Sequence, residues 1–139
     1  MIGIILVIIQ FLLIISISIL GLIQGQASIF RNIGMILGIA VGTMALYGMK
    51  FSMSVLPNPK NGQGLIESGI YKFIRHPAYL GVLIFTGSFI ASWVTFIMWL
   101  FLLLVLLIKI RLEENLLQEK FVDYKNYKKR TKMLIPFIL

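Results

Sequence analysis

Four long apolar segments restrict what this chain can fold into. They cover residues 1–23, 33–56, 73–91 and 93–110 of the 139-residue sequence. About 20 helical residues cross the roughly 30 Å hydrocarbon core of a bilayer, so the first two segments are long enough to span it. The third and fourth are shorter, and only Ser92 and its neighbours separate them, which predicts a tight helical hairpin. The pattern predicts an all-α, multi-pass transmembrane helical bundle with about four membrane helices.

The composition agrees with a lipid environment. Hydrophobic residues make up 59% of the chain and charged residues 13%, and a soluble domain of this length exposes too much surface to hide that apolar area. The first segment lacks the basic residues that begin a signal peptide and is longer than a typical signal core. We interpret residues 1–23 as a retained membrane helix, with a signal peptide cleaved near Ala27 as the alternative.

The positive charges are unevenly distributed along the chain. Lysine and arginine number 13 against five carboxylates, a net charge of +8. All but Arg31 fall in or beside the loop between the second and third segments, or at and beyond the end of the fourth. Because cytosolic loops are enriched in such residues, this pattern predicts a cell-membrane protein whose central loop and both termini are cytosolic. The charge is then explained by topology and by anionic membrane lipids, and nucleic acid is not expected as a partner.

Composition also excludes several kinds of site. The chain has no cysteine, which rules out disulfides, thiolate metal ligands and cysteine nucleophiles. With one histidine and five carboxylates, a multi-histidine metal centre is ruled out as well. No metal site is predicted.

Small and polar residues within the first two helices predict helix contacts. The second helix carries a row of glycines at four-residue spacing that permits close helix approach: Gly34, Gly38 and Gly42. Gln10 is a lone amide inside the first helix, where an interhelical hydrogen bond is the expected role and a substrate contact the alternative.

After Ile110 the sequence changes from a continuous apolar segment to a mixture of apolar and charged residues. Apolar and aromatic residues recur there at helical spacing among charged ones, which predicts an amphipathic helix at the membrane interface. Residues 135–139 are apolar again and are expected to dock into the membrane surface. We interpret the chain as one membrane domain, with two helices in residues 1–56 and a catalytic core in residues 57–139.

A loop rich in proline and glycine joins the second and third segments over residues 56–69. These residues break helices, and a long loop between helices is usually either functional or disordered. Because membrane segments anchor both flanks, we favour a functional loop.

The most concentrated polar chemistry follows this loop. Pro77 suits the first turn of a helix, which places His76 at the helix start, where free backbone N–H groups attract anions. Arg75 adds positive charge, and Tyr71 and Tyr79 supply aromatic faces. This arrangement suits the carboxylate of a small zwitterion. The alternative is an arginine–histidine pair that contacts lipid headgroups.

A second polar group lies where the fourth segment ends. Lys109 and Glu113 are four residues apart and share a helix face, whereas Arg111 points elsewhere. Charged residues at membrane depth are functional candidates. The alternative is a helix-stabilising ion pair worth roughly 0.2–0.5 kcal/mol.

The second half of the chain carries a series of motifs at residues 64–71, 75–81 and 111–114, followed by Phe121, Tyr124, Tyr127 and residues 135–136. In order and spacing this series resembles the isoprenylcysteine carboxyl methyltransferase family and the related phospholipid methyltransferases. The likeness runs from about residue 57 to residue 137, and the first two helices match only in hydrophobicity.

The resemblance implies an S-adenosylmethionine-dependent methyltransferase embedded in the membrane. Carried over motif by motif, the implied cofactor contacts are Gln63, Gly64, Leu65, Ile66, Tyr71, His76, Pro77, Ala78, Tyr79 and Glu113. The family's substrate-orienting arginine matches Lys109 or Arg111, which are the implied catalytic residues. Gln63 departs from a histidine that is frequent in the family, and a segment near Phe121 is shortened.

The resemblance also implies a lipophilic small-molecule or prenylated substrate that enters from the bilayer, while the cofactor enters from the cytosol. A basic residue at position 109 or 111 fits an anionic acceptor better than an amine. Two other readings remain: a membrane reductase of the sterol-reductase type using NADPH, and a non-catalytic membrane subunit or small transporter component. No motif fixes an oligomeric state.

Overall fold

The computed structural model describes residues 2–25, 28–49 and 67–135. The helices in chain order are α1 (Ile2–Gln24), α2 (Ile29–Gly48), α3 (Pro77–Gly87), α4 (Trp93–Lys120) and α5 (Tyr124–Arg130). A 3-10 turn, Gly69–Lys72, leads into α3. The described residues contain no β-strand, which confirms the all-α prediction.

Three of these helices, α1, α2 and α4, are long and apolar enough to cross a membrane. Many of their large apolar side chains point outward, where lipid would cover them. α3 is apolar too, but its 11 residues extend only about 16 Å at 1.5 Å per residue, roughly half of a bilayer. The chain is therefore a helical membrane bundle whose described residues contain three long apolar helices and one short apolar helix, besides α5.

The predicted third segment, residues 73–91, is longer than the helix that forms. Pro77 starts α3, because its ring removes a backbone donor that a first helical turn does not need. Ser92 starts α4 through a capping box with Thr95, so the residues between the two helices form the turn of the predicted hairpin. The hairpin is confirmed, but its first arm is half the expected length.

α4 differs most from expectation. It continues without a break from Trp93 to Lys120, so the predicted fourth span and the start of the predicted amphipathic helix are one helix. Residues 111–120 contain neither proline nor glycine and are mostly good helix formers, so nothing stops the helix at the membrane boundary. The separate tail helix is α5, which buries Tyr124 and Tyr127.

α2 begins four residues earlier than predicted, at Ile29, and Ser28 caps it by accepting a hydrogen bond from the backbone N–H of Phe30. The helix ends at Gly48. The remainder of the predicted segment, residues 50–56, lies outside the described residues.

Glycines bring α2 and α3 into close contact. A Cβ atom on Gly38 would lie 2.6 Å from the backbone nitrogen of Phe85, and one on Gly81 would lie 2.8 Å from the backbone nitrogen of Gly42. Gly34 packs against Ser88 in the same way, with a 2.8 Å approach to its Cβ. The predicted packing role of the glycine row is confirmed, and α3 is the partner.

Gly38→Ala is expected to destabilise the protein by about 1–3 kcal/mol, because the added methyl group collides with backbone that cannot move aside. Gly42→Ala is the matched control on the same helix, since a Cβ at Gly42 meets no atom within 4 Å. Thermal unfolding in detergent measures both changes. Equal losses in the two variants would contradict the close approach described here.

The C-terminal segment returns to the start of α3. The backbone N–H of Arg75 donates to the carbonyl of Lys132 at 2.8 Å, and that of His76 donates to the carbonyl of Met133 at 3.1 Å. Leu134 is buried in the core. Ile135 is 43% exposed, and the rest of the expected docking segment, residues 136–139, lies outside the described residues. This pairing fixes the backbone at His76.

Candidate functional site

The polar residues collect at one end of the bundle. At the other end, Ser92 donates a hydrogen bond to Gln24 at the C-terminal end of α1, at 2.7 Å. Lys109 lies 16 residues further along α4 than Trp93, a rise of about 24 Å. The site therefore lies at the end of the bundle opposite to the Ser92–Gln24 hydrogen bond.

Three of the residues predicted to contact the cofactor lie together at this end of the bundle. The Tyr79 hydroxyl donates to Oε2 of Glu113 at 3.2 Å, and Nδ1 of His76 lies 3.5 Å from the same oxygen. The rings of His76 and Tyr79 stack with centroids 5.7 Å apart and planes inclined by 12°. The start of α3 and the far part of α4, which are distant in sequence, thus share one polar site.

Lys109 extends this site into the bundle. Its side chain is only 1% exposed, and its ammonium lies 5.2 Å from the centre of the Tyr79 ring. It donates a hydrogen bond to Oε1 of Gln10 in α1 at 2.5 Å. The interhelical role predicted for Gln10 is confirmed. The ion pair weighed for Lys109 and Glu113 does not form within 4.0 Å, although the structure describes both residues.

Arg75, which was expected to add positive charge at the start of α3, is paired with a carboxylate. Its Nε donates to Oε1 of Glu114 at 2.7 Å, and its Nη1 donates to the carbonyl of Thr131 at 2.5 Å. Lys128 contacts the other oxygen of Glu114, also at 2.7 Å. The buried guanidinium therefore joins α4, α5 and the C-terminal segment into one wall of the site.

Comparison with known proteins matches this region. The Isoprenylcysteine carboxyl methyltransferase (ICMT) family matches residues 29–119. The chain belongs to the isoprenylcysteine carboxyl methyltransferase family. The matched range contains His76, Tyr79, Lys109 and Glu113, whereas Gln10 lies before it.

A curated relative agrees with this family. The chain is 33% identical over 110 residues to the protein-S-isoprenylcysteine O-methyltransferase of Saccharomyces cerevisiae (strain ATCC 204508 / S288c), an alignment that covers 74% of this chain. The chain spans about half the length of that relative, 46% by alignment. The membrane-reductase reading has no support from either match.

The other residues that the family resemblance implies are placed as follows. Pro77 is fully buried at the start of α3, and Ala78 follows it, half-buried. Tyr71 is buried, but its hydroxyl donates to the carbonyl of Ala45 at 3.4 Å and makes no contact with Glu113 or His76 within hydrogen-bonding distance. Arg111 is exposed on the surface of α4. The implied contacts Gln63, Gly64, Leu65 and Ile66 lie outside the described residues.

The structure distinguishes the two basic residues that match the family's arginine, because one side chain is buried and the other is exposed. Lys109 faces the site, whereas Arg111 faces outward, because two residues along a helix differ by about 200° in direction. Glu114, which is part of the 111–114 motif but was assigned no role from the sequence, supports the wall, while its neighbour Glu113 faces His76 and Tyr79. The adjacent acidic pair was the one available signal for it.

Charge near His76 determines its protonation. Burial by itself lowers the pKa of His76 and is the largest single effect, but the carboxylates of Glu113 and Glu114 together raise it more. Each carboxylate lies 3.5 Å from one ring nitrogen, and both the polar contact and the charge attraction raise the pKa of His76. The net result is a pKa above the ordinary value of 6.5.

This raised pKa predicts a pH-dependent stability. Protonated His76 stabilises the folded protein fully below pH 6.5, and the contribution is lost as the pH rises through the folded-state pKa. The unfolding temperature in detergent is therefore expected to fall as the pH is raised above neutrality. The variant His76→Gln should lose this part of the pH dependence. An identical pH profile in both proteins would contradict the pairing.

Proposed function

We propose that the protein is an S-adenosylmethionine-dependent membrane methyltransferase that methylates the carboxylate of a lipophilic acceptor, such as a prenylated cysteine. The observation that carries this proposal is the convergence of His76, Tyr79 and Glu113 beside the buried ammonium of Lys109. Family membership and the methyltransferase activity named for the yeast relative support the same chemistry.

The residues at the site fit the polar groups of S-adenosylmethionine. Nε2 of His76 is buried and makes no hydrogen bond among the described residues, although Oε1 of Glu114 lies 3.5 Å away, and we assign this nitrogen to the carboxylate of a ligand. The start of α3 adds the positive end of a helix dipole at the same point. Glu113 suits an ammonium group or ribose hydroxyls, and the Tyr79 ring suits an adenine face.

The chain's own residues would bind, orient and exclude water. When bound, S-adenosylmethionine supplies an electrophilic methyl group that an acceptor takes in a single in-line displacement. A carboxylate acceptor is already ionised, so no general base is needed, and Lys109 would hold one of its oxygens in place. Positioning of this kind accounts for much of the rate in such reactions, and a dry pocket adds to it.

The position of the site suits an acceptor that arrives through lipid. Gln10 and Lys109 meet eight residues into α1, about 12 Å along a helix that is apolar throughout. A lipophilic tail could remain in the bilayer while its polar end reaches Lys109. We propose the cytosolic side for this end of the bundle, because the basic C-terminal residues lie there.

The experiment uses purified protein in detergent. Calorimetry with S-adenosylmethionine and with NADPH identifies the cofactor, and transfer of a tritiated methyl group to N-acetyl-S-farnesylcysteine or to membrane lipid extracts identifies the acceptor. We expect S-adenosylmethionine binding and a base-labile labelled ester. Binding of NADPH alone, or of neither compound, would overturn the proposal.

A further inference from the structure

A lysine is buried inside the membrane bundle and has one described hydrogen-bond acceptor. Lys109 is 1% exposed, and its neighbours on α4, Leu106 and Ile110, are fully buried. Its side chain therefore does not extend to the membrane surface. The acceptor is Oε1 of Gln10, 2.5 Å away, on a helix that lies outside the family match.

Such a charge is costly to bury. A charged side chain inside a membrane bundle needs a partner, and a carboxylate would be the strongest one. Glu113 is one turn away on the same helix, but its Oε2 receives the Tyr79 hydroxyl and faces His76. The described hydrogen-bond acceptor of Lys109 is therefore an uncharged amide, and two of the three N–H groups of its ammonium have no described acceptor.

We propose that Gln10 is a positioning residue, which holds the ammonium of Lys109 over the Tyr79 ring so that its remaining N–H groups face the carboxylate of the acceptor. This inference rests on the proposed function and assigns α1 a role in it. A neutral amide fixes the direction of one N–H bond without neutralising the charge that attracts an anion. A carboxylate at position 10 would fix the same geometry but compete with the acceptor.

The described helices show which titratable side chains lie near Lys109. Tyr79 faces it from α3 at 5.2 Å, and Glu113 lies one turn away on α4. α1 contributes Gln10, which does not titrate. A substitution at position 10 can therefore change the orientation of Lys109 without removing a charge that the site already contains.

The test compares Gln10→Leu and Gln10→Glu with the wild type, using S-adenosylmethionine and N-acetyl-S-farnesylcysteine. We expect Gln10→Leu to lower kcat about 10- to 100-fold, the effect of losing a hydrogen bond to a charged group, with little change in S-adenosylmethionine affinity. Gln10→Glu should also lower turnover, although its unfolding temperature stays equal to or above that of the wild type. Gln24→Leu, the other amide of α1, is the matched control and should keep full activity.

A double-mutant cycle separates positioning from a purely structural role. In the Lys109→Met background, Gln10→Leu should lower turnover no further, because the group that it positions is gone. Full activity in Gln10→Glu, or an undiminished effect of Gln10→Leu beside Lys109→Met, would overturn the inference. A wild type that does not transfer methyl groups would instead refute the proposed function, so the two failures are distinguishable.

Discussion

Glu113→Ala is expected to weaken S-adenosylmethionine binding by about 100-fold or more. The carboxylate is the acceptor of the Tyr79 hydroxyl and the neighbour of Nδ1 of His76, so its removal frees both side chains at once. It also removes the anion that would meet the ammonium or the ribose of the cofactor. Titration calorimetry in detergent measures the loss.

His76→Ala should lose binding to a similar extent, because it removes the buried Nε2, which makes no hydrogen bond to any described residue. Glu119→Ala is the control, since this carboxylate is on the same helix but exposed. Tyr79→Phe keeps the ring and removes only the hydroxyl, and a smaller loss is expected. Unchanged affinity in Glu113→Ala, or an equal loss in Glu119→Ala, would remove the physical basis of the proposed site.

Hydrophobic patterning predicted the helices well but not their ends. An apolar run shows that a segment prefers lipid, but the ends of a helix depend on local chemistry such as the proline before α3 and the capping box before α4. The continuation of α4 to Lys120 was missed because a change from apolar to charged residues marks the membrane boundary and does not stop a helix.

The site was predictable where the motifs were dense and unpredictable where partners come from far along the chain. His76, Tyr79 and Glu113, which the family resemblance assigns to one cofactor site, lie together in the structure, and their role as cofactor contacts stays a prediction. The backbone pairing of Arg75 with Lys132 has no sequence signal, since it depends on a short segment returning across the bundle. An interhelical hydrogen bond for Gln10 could be predicted from the sequence. Its partner, Lys109, could not be predicted, because it lies far along the chain on another helix.

Glu113 and Glu114 show how neighbouring carboxylates acquire different roles. Successive helical residues differ in direction by about 100°, so the two side chains meet different neighbours apart from His76, which lies 3.5 Å from each carboxylate. Glu113 faces the stacked rings of His76 and Tyr79, while Glu114 faces Arg75 and Lys128. From the sequence alone the two carboxylates cannot be distinguished, and only the tertiary arrangement shows that Glu113 contacts Tyr79 whereas Glu114 contacts Arg75 and Lys128.

Glu114→Ala is expected to destabilise the fold by about 3–5 kcal/mol, the usual effect of breaking a buried ion pair. The side chains of Arg75 and Glu114 are 8% and 7% exposed, and their bond ties α4 to the segment before α3. Without the carboxylate, the described acceptors of the buried guanidinium are the carbonyls of Lys128 and Thr131 and the Thr131 hydroxyl, none of which is charged. Thermal or denaturant unfolding in detergent should show a large loss of stability.

Glu67→Gln provides the comparison, because it breaks an ion pair of equally short distance at the surface. Glu67 and Arg130 lie 2.6 Å apart, but their side chains are 34% and 62% exposed. Water and salt screen such a pair, so its loss should cost at most about 1 kcal/mol. If the two variants lost equal stability, burial would not be what strengthens the Arg75–Glu114 pair. The wall beside His76 would then have to be held by the backbone pairing with residues 132–133 and by the packing of α5.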